Sequence, residues 1–204
     1  MRIFIESKKP VHEGMGMCIK LALESDAGER AGAEIIISLD DFMMLAEHIR
    51  ESEISEEFFS VLEEKGRVYA AYSYGMYLLG FGECPRKKLV YKLTNKGHDR
   101  DSAEIAADML VQAGYIDEFE LVHDAMIHAC RDKCYGRRRI IAELYAKGFD
   151  RETVQEAFRL FESELDYDEA RAKLLKMKFG TDTPEPKDIK EKQKIMNTLF
   201  RYGH

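Results

Sequence analysis

Two runs of three consecutive cations, Arg86-Lys87-Lys88 and Arg137-Arg138-Arg139, are the residues of this chain best suited to a chemical task. Cationic side chains clustered at the start of a helix can neutralise phosphates along a polyanion, or seat against an acidic protein surface. Lys92, Lys96 and Lys147 extend the two runs, and Lys192 and Lys194 add a third, sparser set. Contacts of this kind position a partner and carry little sequence information. The competing reading is a set of solvated helix faces with internal ion pairs. Against it stands the recurrence of sign: Arg86/Arg137, Lys87/Arg138, Lys88/Arg139 and Lys96/Lys147 all agree at an offset of 51 residues.

Other chemistries are less well supplied. His123, His128, Cys130 and Cys134 fall in one helical stretch, but without a CxxC pair they read as half-buried thiols beside surface histidines, not as a zinc site. Tyr69, Tyr72, Tyr74 and Tyr77, with Phe81, put aromatic rings near the first basic run, where rings beside cations can stack on unpaired bases. Helical spacing spreads them over more than one face, so packing is the expected role for most. There is no glycine-rich phosphate loop, nucleophile elbow or HExxH. Acidic clusters such as Glu162-Ser163-Glu164 sit at helix ends and read as caps and solvated charge. Neither an enzyme nor a bound cofactor is expected.

The cations are positioned by a repeat. Residues 86–100 align without a gap on residues 137–151, matching in charge, apolar period, stop glycine (Gly97, Gly148) and restart aspartate (Asp99, Asp150). A fixed period marks a modular helical array. Residues 192–204 match the basic helix again at an offset of 55, so a third unit begins in register and stops one helix early. Each unit runs long helix, basic helix, acidic helix. The predicted helices are 68–79, 86–96, one capped by Asp99, Asp117 to about Lys133, 137–147, 151–164, Asp168–Phe179 and about 188–202. Upstream, Arg2–Glu6, Met17–Leu23 and Ala33–Ser38 read as strands. They are followed by two short helices capped by Ser38 and Ser55, the second ending near Gly66. The fold class is therefore mainly α, tandem three-helix repeats with the third incomplete, after a small β-rich segment with two short helices. The boundaries are 1–66, 67–116, 117–166 and 167–204. With no acidic helix to follow, Ile195, Leu199 and Phe200 have less to pack against, and a mobile C-terminus is expected.

Charge follows the same plan. The net charge of −7 lies wholly in residues 1–81, which hold 8 basic and 15 acidic side chains; residues 82–204 hold 23 of each. Within that neutral half, residues 84–98 carry five basic and no acidic side chains, whereas residues 99–120 carry seven acids and one base. The net value thus conceals a patterned surface. No apolar run is long enough to span a membrane, no signal peptide is read at the N-terminus, and four scattered cysteines suit a reducing, cytoplasmic setting.

Several of these features together resemble the RecX family, bacterial regulators of the RecA recombinase. The similarity rests on Gly114-Tyr115-Ile116-Asp117, on Gly136 through Leu144 with Ala146-Lys147-Gly148, and on the ending Lys190-Glu191-Lys192-Gln193-Lys194. It covers about residues 67–204. The resemblance implies a non-enzymatic modulator built of three-helix repeats. Such a modulator binds RecA and its nucleoprotein filament on single-stranded DNA, and blocks filament extension, strand exchange and coprotease activity. Weak non-specific DNA binding, no membrane association and a monomer are also expected. Under it, Arg86, Lys87, Lys88, Arg137, Arg138 and Arg139 are the first candidates for contact, followed by Lys92, Lys96, Lys147, Lys192 and Lys194. Two other readings stay open: a stand-alone DNA-binding regulator with helix-turn-helix-like units, and a helical-repeat adaptor for proteins. The first wants Asn, Gln, Arg or Ser at exposed helix starts to read base edges, whereas these helices open almost wholly with Arg and Lys.

Overall fold

The computed structural model describes residues 1–50 and 52–204. The chain divides into two compact units, residues 1–82 with 89–115, and residues 83–88 with 116–204.

The first unit starts with strands β1 (Arg2–Val11), β2 (Gly16–Glu24) and β3 (Arg30–Ser38), joined later by the short β4 (Glu53–Ile54). They form an antiparallel sheet in the order β3-β2-β1-β4. Alternation puts Ile3, Ile19, Leu21, Ile35 and Ile37 on one buried face, against Ile49, Ile54 and Leu62. β1 is longer than the predicted Arg2–Glu6. It continues through Pro10, which β1 tolerates because its other edge is paired with β4 only at Ile3 and Phe4. The segment capped by Ser38 is two short helices, α1 (Leu39–Met44) and α2 (Ala46–Ile49), where one was expected.

α3 (Glu56–Leu79) is a single helix of 24 residues. The expected stop at Gly66 does not occur, because that glycine serves packing instead. A Cβ there would stand 2.6 Å from Cγ2 of Ile35, so its absence lets α3 lie close on β3. The first half of α3 covers the sheet with Phe58, Phe59 and Leu62. Its second half meets α4 (Arg86–Lys96) and α5 (Arg100–Gln112), where Gly75 opposes Leu110 and Leu89.

The second unit holds α6 (Glu118–Arg131), α7 (Arg137–Lys147), α8 (Arg151–Phe161), α9 (Tyr167–Phe179) and α10 (Ile189–Tyr202). Its core gathers Val122, Met126, Ile140, Leu144, Val154, Ala157 and Phe158. The 51-residue offset is visible in this packing. Leu89 and Leu93 in the first unit answer to Ile140 and Leu144 in the second, and Ala103, Ala106 and Ala107 to Val154, Ala157 and Phe158, all buried. Caps recur as well: Asp99 and Asp150 accept from Ser102 N and Thr153 N, and Asp117, Asp166 and Asp188 close the starts of α6, α9 and α10 in the same way. The bond from Ser102 N holds the Asp99 carboxyl below its usual range, and the Thr153 hydroxyl, with Thr153 N, does the same for Asp150. The helices capped by Asp99 and Asp150 and the spans 86–96 and 137–147 thus lie where the sequence put them.

A Cβ at Gly75 would come within 2.7 Å of Cδ1 of the fully buried Leu110. Gly75→Val should therefore cost about 1–3 kcal/mol by overpacking, read as a lowered urea midpoint with unchanged slope. A midpoint equal to wild type would show that α3 and α5 are less tightly apposed than described.

Candidate functional site

The basic helices end in one recurring device. Gly97, Gly148 and Gly203 all take left-handed backbone, with φ of 106°, 99° and 88°. At each, the glycine N–H returns to a carbonyl three residues back, Thr94, Tyr145 or Phe200. The next residue's N–H reaches Leu93, Leu144 or Leu199, closing a Schellman motif. Within the second unit these stop glycines are also joints. Gly203, at the end of α10, lies on the start of α7, where a Cβ would be 2.4 Å from Arg139 N. Gly148, at the end of α7, lies beside the start of α4, where a Cβ would be 3.8 Å from Lys87 Cβ and 4.0 Å from Lys88 N. Lys88 and Arg139 are equivalent at the 51-residue offset, so the same joint occurs twice. α7 and α10 thus each end on the cationic start of the basic helix one repeat earlier, whereas nothing lies against the end of α4 at Gly97.

The two joints differ in tightness for a reason legible in their residues. Gly136 N donates to Tyr202 O at 2.8 Å, and a Cβ on Gly136 would stand 2.4 Å from Gly203 O. The equivalent position in the other joint is Pro85, which has neither the donor nor the room. The tighter joint is further tied by Arg138 Nη2, which donates to the main-chain oxygen of His204 at 2.8 Å. His204 Nε2 donates in turn to Cys134 O at 3.0 Å. Residues Tyr202–His204 are thus anchored, where a mobile end was expected. Burial pushes the His204 imidazole below its usual value, against the opposing effect of its bond to Cys134 O.

Each predicted cation can now be placed. Arg137 Nε donates to Glu162 Oε1 at 2.7 Å, and its guanidinium lies 5.1 Å from the Phe158 ring centre. Arg138 lies over Phe200 and Arg139 over Tyr135. Lys147 pairs with Glu143 at 3.7 Å, one helical turn away. Arg86 N donates to Glu118 Oε1 at 2.9 Å. Lys87 and Lys88 are exposed, and Lys87 is near enough to Asp150 to help hold its carboxyl down. Lys192 and Lys194 are exposed on α10. In the first unit, Lys92 is half-buried and Lys96 stands 5.4 Å over the Tyr74 ring. The structure brings Arg138 and Arg139 together with Arg201 and Asn197 around a groove of about 540 Å³ floored by Phe200 and Ala142. Sequence reasoning missed Arg201 and Asn197. Their signal was the 55-residue offset, which already set the end of α10 in the repeat but not on α7.

The tyrosines divide as their spacing implied. Tyr69 is buried and bonded to His12, Tyr72 and Tyr74 are half-buried, and Tyr77 and Phe81 are exposed in edge contact at 4.8 Å. Cys130 and Cys134 are core residues, while His123 and His128 meet Glu164 and Asp132 at the surface. Burial raises both thiols above their usual value and so favours the protonated form.

The comparisons with known proteins point one way. No family model matches the chain. A Regulatory protein RecX from Xanthomonas axonopodis pv. citri (strain 306) is 31% identical over 121 residues, covering 59% of this chain and 72% of that protein. This chain belongs to the RecX family. Another RecX, from Stenotrophomonas maltophilia (strain R551-3), is 29% identical over 121 residues, 59% of this chain and 71% of its own length. A crystal structure of regulatory protein RecX shares the fold, with a TM-score of 0.70 at 19% identity over 99% of this chain and 94% of that one. Both of these relatives are named as regulatory proteins. Among the described residues, no helix is long and apolar enough to cross a membrane.

Two outcomes test the tighter joint. A left-handed position charges roughly 1–2 kcal/mol for a Cβ, so Gly203→Ala, which also meets Arg139 N, should loosen α10 on α7 by about tenfold or more. Faster hydrogen exchange at the Gly136 amide would register it, with the Ile140 and Leu144 amides unchanged. The His204 value is depressed in the folded state, so its contribution is complete above the unfolded histidine value of ~6.5. It is lost as pH falls through the lower folded value. Docking of α10 should then weaken from pH 7 to pH 5, and His204→Gln should flatten that dependence.

Proposed function

We propose that this RecX chain is a regulator that binds the RecA recombinase and its filament on single-stranded DNA. In this reading it inhibits filament extension, strand exchange and coprotease activity, and so acts in recombination, DNA repair and the SOS response. The observation that carries the reading is the twice-used joint, which sets the cationic start of one repeat against the end of the next. Membership of a regulatory family supports it. So does the chemistry of the cations, which suits phosphate and acidic protein surface without base recognition. The work is binding, with no catalytic step and no cofactor, by a monomeric cytoplasmic protein. The repeats that do it span 67–116, 117–166 and 167–204, behind a region 1–66 that does not supply the basic contacts.

The contact set is ranked by what each side chain already does. Lys87 and Lys88 come first, being exposed. Arg138 and Arg139, over the Phe200 and Tyr135 rings, line one groove with Arg201. Arg137 and Lys147 share themselves with Glu162 and Glu143 and come after, with Arg86, Lys92, Lys96, Lys192 and Lys194.

The experiment is RecA strand exchange and filament binding with Lys87→Glu/Lys88→Glu and, separately, Arg137→Glu/Arg138→Glu/Arg139→Glu. Both should lose inhibition. For any residual binding to single-stranded DNA, the dependence of log K on log salt should flatten by ~0.7 for each phosphate contact removed. Undiminished inhibition by both charge-reversed proteins would sink the proposal. Tight, sequence-preferring binding to free duplex without RecA would favour the stand-alone DNA regulator instead.

A further inference from the structure

The first unit carries a second surface of opposite character, which the basic helices do not use. It holds a groove of about 810 Å³ between the β1–β2 turn, the start of α1, the middle of α3 and the end of α5. The lining is apolar and rich in methionine: Met15, Leu39, Met76 and Met109, with Tyr72 and Tyr115. Met15 is 68% exposed, Leu39 39%, Met109 37% and Tyr115 49%, and α1 also exposes Met43 and Met44. Met15, Leu39, Met109 and Tyr115 are thus gathered in one concavity, not scattered singly over the surface. Methionine adapts to irregular apolar partners and is over-used on surfaces that receive helices.

The rim is acidic. Glu13, Asp40 and Asp41 line the same groove, in a region that holds nearly twice as many acids as bases. Asp41 is partly committed to Lys65, whereas Glu13 and Asp40 are exposed and make none of the described ion pairs. The rim is also fixed in shape. His12 and Glu13 both hold left-handed backbone, with φ of 51° and 57°, unusual for non-glycine residues. The turn is clamped by Tyr69, whose hydroxyl lies 3.0 Å from His12 Nδ1 and whose ring stacks on the imidazole. A Cβ at Gly16 would meet that hydroxyl at 2.5 Å, so the clamp needs the glycine. A wall fixed beforehand lowers the ordering cost of binding.

We propose that this groove is a docking site for an amphipathic helix of a partner protein, with apolar anchors at i, i+3, i+4 and i+7 flanked by Lys and Arg. The groove floor is made of side chains, not an open strand edge, which favours a helix over an added strand. Its acidic rim selects a basic helix over an acidic one. The inference stands apart from the basic-helix reading, because none of the cations assigned there lines the groove.

The test uses the full chain and two labelled 18-residue peptides. One is a leucine-faced helix flanked by lysines, the other the same helix with every lysine replaced by glutamate. The lysine peptide should bind saturably and the glutamate peptide at least about tenfold more weakly. Met15→Glu and Met109→Glu should each reduce the lysine peptide's affinity by roughly tenfold, the scale of losing one apolar anchor. Both positions are exposed, and retained helicity by circular dichroism excludes misfolding. Glu13→Lys/Asp40→Lys should reverse the preference between the peptides. Equal binding of both peptides, indifference to the methionine substitutions, or no saturable binding would each overturn the proposal. So would concentration-dependent self-association abolished by Met109→Glu, which would make a second copy the occupant.

Discussion

One backbone requirement organises this molecule: a residue in left-handed conformation at the end of every basic helix, with no side chain to keep the neighbouring repeat away. Glycine alone meets both demands cheaply. At Gly203 the two demands coincide, since the backbone is at φ 88° and the nearest neighbour is the main chain of Arg139. At Gly97 only the turn demand applies, because nothing lies within 4 Å of the position a Cβ would take. The repeat is therefore a rule about how a helix stops and what it stops against. Core residues follow from it. Once Gly148 fixes the end of α7, Ile140 and Leu144 must face α6 and α8, as Leu89 and Leu93 are buried in the first unit.

The same joint decides which cations remain available. A helix start is already electropositive from its unpaired N–H groups, and three cations there would repel one another and that field. The chain relieves this locally. Arg137 takes Glu162, Arg138 takes the His204 oxygen and a phenyl face, and Arg139 takes the Tyr135 face. A ring contact takes no N–H from the guanidinium fork, so the Phe200 and Tyr135 rings orient these arginines without consuming their donors. Lys87 and Lys88, beside the looser joint at Pro85, lack that support and stay open.

Legibility in the sequence tracked how local each cause was. The spans 86–96 and 137–147, the caps at Ser38, Ser55, Asp99 and Asp150, and the stops at Gly97 and Gly148 are set within five or six residues, and the sequence shows them plainly. Gly66 misled because its reason is distant: a glycine in mid-helix, placed for Ile35 on β3, looks identical to a terminator. β4 and the extension of β1 past Glu6 are likewise consequences of pairing partners far along the chain. For the basic surface, sign and spacing were readable, whereas the convergence of Arg138, Arg139 and Arg201 was not, because it depends on α10 ending on α7. The acidic groove was least visible of all. Met15, Leu39, Met76 and Met109 are separated by dozens of residues and share no period.

Under the proposed binding to a RecA filament, the spacing of the cations gives a physical reason for a protein-coated partner. α7 has 11 residues, so its cationic start and its joint with α4 lie about 16 Å apart. Over that length duplex DNA presents on the order of ten phosphates at one charge per ~1.7 Å, against a handful of cations here, several already shared with carboxylates. In the proposed reading, charge density so low would give only weak, salt-sensitive attachment to bare nucleic acid. Useful affinity must then come from protein surface touched at the same time, where modest contacts at several joints combine through high effective concentration. The acidic first unit fits the same proposal, since its excess negative charge would oppose indiscriminate adsorption to DNA and leave the repeats to act where both kinds of surface are offered together.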